Sequence, residues 1–83
     1  MIDLIRLGDE TDHRGKVVSA SPTMSYGDIA VARKGDRITC PQHPEVRPNV
    51  IEEGDEEITD EGVPVARAGY RGTCGCHLIS SVR

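Results

Sequence analysis

The sequence predicts a small all-β domain built from repeated units. Three observations carry that expectation. A ten-residue segment, Val31 to Cys40, recurs thirty-four positions later as Val65 to Cys74, matching at Val, Ala, Arg, Gly, Arg, Thr and Cys. Short β-type runs alternate with Gly- and Asp-containing turns, the pattern of an all-β chain. Helix signals are weak, because nine Gly and five Pro in 83 residues interrupt any long 3.6-residue period.

Taken in order, the expected strands are Ile2 to Leu7, Lys16 to Ala20, Ile29 to Arg33, Val50 to Glu53, Val63 to Arg67 and Leu78 to Val82. Turn residues separate them: Gly8-Asp9, Arg14-Gly15, Ser21-Pro22, Tyr26-Gly27-Asp28, Gly35-Asp36, Gly54-Asp55 and Glu61-Gly62. Pro64 has no N–H to give a sheet, so its strand starts there or lies at an edge. The acidic stretch Glu52, Glu53, Asp55, Glu56, Glu57, Asp60, Glu61 lacks the residue order of an EF-hand loop. It is expected to be a solvated face or loop.

The repeat extends beyond ten residues. Val17 aligns with Ile51, Met24 with Ile58, Ala30 with Pro64 and Val31 with Val65. A third, partial copy stands at the front, where Gly8 precedes His13 by the same five positions that separate Gly35 from Cys40 and Gly69 from Cys74. Each unit is then a strand, a turn, a second strand and a Gly-led loop ending in a ligand residue. Pseudo-threefold packing of three such units would bring His13, Cys40 and Cys74 together.

Composition bounds the rest. The chain is expected to be one domain, residues 1–83. With no Phe, no Trp and two Tyr it lacks the side chains that usually supply a small core's area, so a staple is expected: a disulfide, a metal or a partner. A net charge of −4 speaks against a nucleic-acid binder. The N-terminus, charged at Asp3 and Arg6, does not resemble a signal peptide, and no run has the length of a membrane helix. Synthesis in a reducing cytoplasm is therefore expected, where three Cys serve better as thiolate ligands than in disulfides.

All three His and all three Cys lie in or just after the Gly-led loops. Mixed thiolate and imidazole donors suit zinc, which takes four ligands in a tetrahedron. The preferred set is His13, Cys40, His43 and Cys74, with Cys40-Pro41-Gln42-His43 chelating through a tight turn. Cys74-Gly75-Cys76-His77 is also C-x-x-H, so the repeat nominates His77 as an alternate in place of His13. Cys76 is a third option, set aside because a chain extended over two residues would hold Cys74 and Cys76 apart. The other readings are a Cys40–Cys74 disulfide, Cys76 as a small buried apolar residue, and His77 as a surface or core-edge histidine, which for His77 is the favoured one. No phosphate loop and no oxyanion site are evident, so the domain is not expected to be an enzyme; the contrary reading is a small zinc-dependent enzyme. Arg33 and Arg67 are expected to satisfy carbonyls or carboxylates between units.

These residues resemble the PAAR-repeat proteins, named for a Pro-Ala-Ala-Arg motif. Val63-Pro64-Val65-Ala66-Arg67 is a variant of that motif and Ile29-Ala30-Val31-Ala32-Arg33 a degenerate copy. Ile5-Arg6-Leu7-Gly8-Asp9 with Thr11, His13 and Gly15 matches, as do Gly35-Asp36 before Cys40-Pro41-Gln42-His43, and Thr73-Cys74-Gly75 before Leu78-Ile79-Ser80. Arg14 stands where the family often has Gly, and Tyr70 where it often has Asp or His. The resemblance implies a small cone of strands with zinc near its apex. It also implies a broad base that caps a trimeric β-helical spike of the valine-glycine-repeat family, one tip per trimer. Such tips sharpen the type VI secretion system for membrane puncture and effector delivery; the alternative reading of this chain is a contractile phage tail-spike tip. Contact with a target membrane would be only transient. The tip would be made in the bacterial cytoplasm and then secreted or injected with the spike. No effector extension is expected. Val31, Val65 and their neighbours are the candidate base residues.

Overall fold

The computed structural model describes residues 3–82. No helix forms among them. There are six short strands: β1 (Glu10–Thr11), β2 (Ser25–Tyr26), β3 (Ile29–Ala30), β4 (Asp55–Asp60), β5 (Val63–Val65) and β6 (Leu78–Ile79). They form three antiparallel pairs, β1 with β6, β2 with β3 and β4 with β5.

Isolated bridges join these pairs, and the bridges repeat cyclically. Leu4 pairs with Arg67, Arg6 with Val31, and Arg33 with Val65. A second cycle pairs Val17 with Ile38, Ile51 with Gly72, and Thr11 with Leu78. Inside the first lies a ring of backbone hydrogen bonds: Ile5 N–H to Ala66 C=O (3.0 Å), Ala66 N–H to Ala32 C=O (2.9 Å), and Ala32 N–H to Ile5 C=O (2.8 Å). Three units therefore surround a pseudo-threefold axis, each bonding to both neighbours. Residues 3–6, 30–33 and 64–67 are equivalent, so Asp3-Leu4-Ile5-Arg6 is a third copy of the motif that the sequence shows openly only twice.

This cyclic pairing explains why the expected runs are broken. The run at 2–7, described from Asp3, forms no continuous strand, because Leu4 faces the third unit and Arg6 the second. Lys16 and Val17 likewise turn to different partners, Glu10 and Ile38, and Val50 and Ile51 to Arg37 and Gly72. A segment that changes neighbour every one or two residues cannot build a ladder.

The units are linked by two equivalent hairpins, β2–β3 and β4–β5. Gly27 and Asp28 (φ 61° and 66°), and Glu61 and Gly62 (φ 52° and 83°), give both turns the paired positive φ of a type I′ hairpin. The acidic stretch supplies β4, largely exposed, as its charges require. Ile58 packs on the core, and Asp55 and Asp60 turn in to meet arginines.

Successive side chains on extended backbone point to opposite faces, and each face of the ring has its own core. Ile5, Ala32 and Ala66 join Val17, Ile38, Ile51, Cys76 and Leu78 on one side. Leu4, Val31 and Val65 cluster on the other, with Met24 and Ile58 of the hairpin segments packed against them. Val31 and Val65 are thus wholly buried and cannot themselves face a partner, contrary to the expectation for base residues. The arginines behave as expected: Arg67 pairs with Asp3 (2.7 Å) and Asp55 (3.0 Å), Arg33 with Asp60 (3.5 Å), and Arg6 donates to the Tyr26 carbonyl (2.9 Å).

Candidate metal centre

Each unit positions its ligand loop by the same backbone bonds. Gly8, Gly35 and Gly69 donate to Val17, Ile51 and Leu78 (3.0, 2.9 and 2.8 Å). Four residues on from each Gly, Asp12, Thr39 and Thr73 donate to His77, Lys16 and Val50 of a neighbouring unit (3.0, 2.9 and 2.9 Å). The return bonds are equally regular: Lys16 N–H to Thr39 Oγ1, Val50 N–H to Thr73 Oγ1, and His77 N–H to Asp12 Oδ1. His13, Cys40 and Cys74 directly follow these anchors, so the three loops carry them to equivalent places.

The side chains converge in part, with Cys40 and His43 outside the one group of three whose ligand atoms all meet among the described residues. Cys40 Sγ lies 3.5 Å from His13 Nδ1. A tetrahedral zinc with ordinary bond lengths spaces its sulfur and nitrogen ligands by about 3.6 Å. The ligand atoms of His13, Cys74 and Cys76 all lie within 4.8 Å of one another. The rings of His13 and His43 stand 5.3 Å apart, tilted by 59°. All three Cys are free thiols, so the Cys40–Cys74 disulfide does not form. The thiols share protons: burial raises Cys74, but hydrogen bonds from Cys76, then Cys40 and Asn49, outweigh it and bring it down to about 6. Cys76 is pushed up to about 12 by burial and by the neighbouring Cys74, and Cys40 is raised for the same two reasons. A thiolate already held in place among donors is what a soft metal ion needs.

Cys76 stands differently from expectation, while His77 takes its surface reading. Cys76 joins the cluster although two residues of extended chain would separate it from Cys74. Gly75, at φ 89°, bends the chain between them, its N–H bonded to the Gly72 carbonyl (2.9 Å). That Gly between two Cys was the available signal. His77 lies apart from the cluster, its Nδ1 3.3 Å from Asp12 Oδ2 and its side chain 56% exposed. The return bonds above show why. His77 is equivalent to Lys16 and Val50, three residues past the ligand in the first and third units but ten past it in the second. His43 belongs to a seven-residue extension of the second loop, so the two C-x-x-H matches are not structural equivalents.

A family model for the PAAR motif matches residues 7–80. This chain belongs to the PAAR-motif family. No curated protein sequence matches it. The match spans all three ligand loops. Tyr70, the family departure in the third, has a local cost that the structure shows: Asp9 and Asp36 accept from the Arg6 and Arg33 N–H groups (2.8 and 2.6 Å), and no carboxylate stands at position 70 to do the same for Arg67.

Proposed function

We propose that this chain is a spike tip. It caps the blunt end of a trimeric β-helical spike of the valine-glycine-repeat family in a type VI secretion system, one tip per trimer. It sharpens the spike for membrane puncture and effector delivery. Made in the bacterial cytoplasm, it leaves with the spike and meets the target membrane only in passing. A zinc ion held between His13, Cys40 and Cys74 ties the three loops into a rigid point, with a fourth donor from His43 or Cys76. The role is mechanical rather than catalytic.

The observation that carries this reading is the ring Ile5–Ala66–Ala32. A single chain with pseudo-threefold backbone symmetry offers a true trimer three equivalent contacts, the geometric requirement for a one-to-three cap. Membership of the PAAR-motif family supports the same role. The test is co-expression with a trimeric β-helical spike, followed by mass measurement of the complex. One tip per three spike chains is expected. A chain that stays monomeric beside a folded trimer overturns the proposal.

A further inference from the structure

The geometry points to Cys76, not His43, as the fourth metal donor, which makes the centre a site of three thiolates and one imidazole. This inference rests on the metal reading above. The three units supply one donor each, and three donors related by a threefold axis form only the base of a tetrahedron. The fourth must lie close to the axis.

Cys76 comes from the core side to the His13 and Cys74 donors. Its equivalents in the other units are Gly15 and Asn49, as the matching bonds Thr11 N–H to Gly15 C=O, Ile38 N–H to Asn49 C=O and Gly72 N–H to Cys76 C=O show. The first unit has no room for a side chain there, since a Cβ on Gly15 would run into the Thr39 carbonyl. The third unit makes room by omission. A Cβ on Gly72 would lie 3.0 Å from Cys76 Sγ and would collide with Ile38 Cδ1. Cys76 is 0% exposed and its Sγ sits in the His13–Cys74 group. His43 rides on the loop extension, its side chain 40% exposed and its Nδ1 3.7 Å from Glu45 Oε2. A buried donor already placed costs little ordering entropy on binding; an exposed one on a loop costs more.

Three thiolates change the chemistry. With all three cysteines bound as thiolates, any proton a thiol still carries goes to solvent, and a divalent ion leaves the centre with one net negative charge. Soft ligands of this kind select zinc and comparable thiophilic ions over oxygen-seeking ones.

X-ray absorption of the full chain loaded with one equivalent of zinc counts the donors directly. Three sulfurs and one nitrogen are expected. Two sulfurs and two nitrogens overturn the assignment and leave the metal reading standing, whereas failure to retain zinc overturns both. Chelator competition on variants gives a second readout. Cys76→Ser is expected to weaken zinc binding by at least about 100-fold, the top of the range for losing an outer-shell partner, and His43→Ala to leave it nearly unchanged. The reverse order overturns the assignment. The absorption measurement on the unaltered chain stands even where Cys76→Ser fails to fold.

Discussion

Ile5 donates its backbone N–H to the carbonyl of Ala66, sixty-one positions later, at 3.0 Å. That bond closes the ring about the pseudo-threefold axis, and it joins one large side chain to two small ones. Ile5, Ala32 and Ala66 are all 0% exposed and pack in one core cluster, so a change of size at one presses on the others.

Ala66→Ile is therefore expected to overpack the axis and cost about 1–3 kcal/mol. Ile5→Ala is expected to cost about 2–5 kcal/mol through the cavity it leaves. The double variant Ile5→Ala with Ala66→Ile moves the large side chain to the third unit. Denaturant titration should show it markedly more stable than the sum of the single losses predicts. Additive losses would mean that the three positions do not share their space.

Removing the metal should destabilise the whole chain. Ions bound only by the folded state, at free concentrations a thousand times Kd, contribute about 4 kcal/mol. At roughly 4–8 °C per kcal/mol for a domain this size, chelation should lower Tm by roughly 15–30 °C. Cys40→Ala should lower it comparably and abolish the response to chelator. Thermal scans with and without chelator measure both.

His77→Ala should leave metal content unchanged, as elemental analysis of the purified variant will show. Its ring pairs with Asp12 at 3.3 Å on an exposed surface, where such a pair contributes about 0–1 kcal/mol. Loss of the metal in this variant would return His77 to the ligand set.

The loops were legible in the sequence because a short-range constraint sets them. The same five positions separate Gly8 from His13, Gly35 from Cys40 and Gly69 from Cys74, and the same Gly N–H bond anchors each loop. Strand lengths were not legible, since Leu4 and Arg6 pair with different units and no local pattern records a change of neighbour. The likeness of His43 and His77 misled because the spacing of thirty-four hides a loop extension that begins between Cys40 and Val50. The place of Cys76 depends on a side chain missing at Gly72 and on Ile38 of another unit, a tertiary fact that spacing does not carry.

Arg14 and Gly75 occupy equivalent turn positions, each donating to the residue three before it, and both have positive φ (65° and 89°). A side chain at such a φ costs about 1–2 kcal/mol, and nothing crowds Gly75 within 4 Å, so backbone strain alone decides the outcome. Gly75→Ala should destabilise by about that amount. Arg14→Gly should stabilise by less, up to about 1 kcal/mol, because the freer unfolded chain offsets part of the relief. Chemical denaturation of the two variants beside the parent chain decides the signs.

Asp60 ties the second hairpin to the first linker. Ser21 Oγ and Thr23 Oγ1 donate to its carboxylate, Thr23 at 2.8 Å, and Arg33 Nη1 lies 3.5 Å away. The hydrogen bonds from Ser21, then Thr23, and the Arg33 charge hold its carboxyl below the usual carboxylate range. A carboxylate depressed in the folded state contributes stability that is complete above its unfolded pKa, about 3.9, and is lost as pH falls through the lower folded value. Asp60→Asn should therefore be less stable than the parent chain at neutral pH, and the gap should narrow once pH drops below about 4. Comparing the two chains cancels the loss of metal that acid causes in both. A Tm difference that stays constant from neutral pH to pH values well below that point would show that the carboxylate charge contributes nothing to the hairpin's attachment.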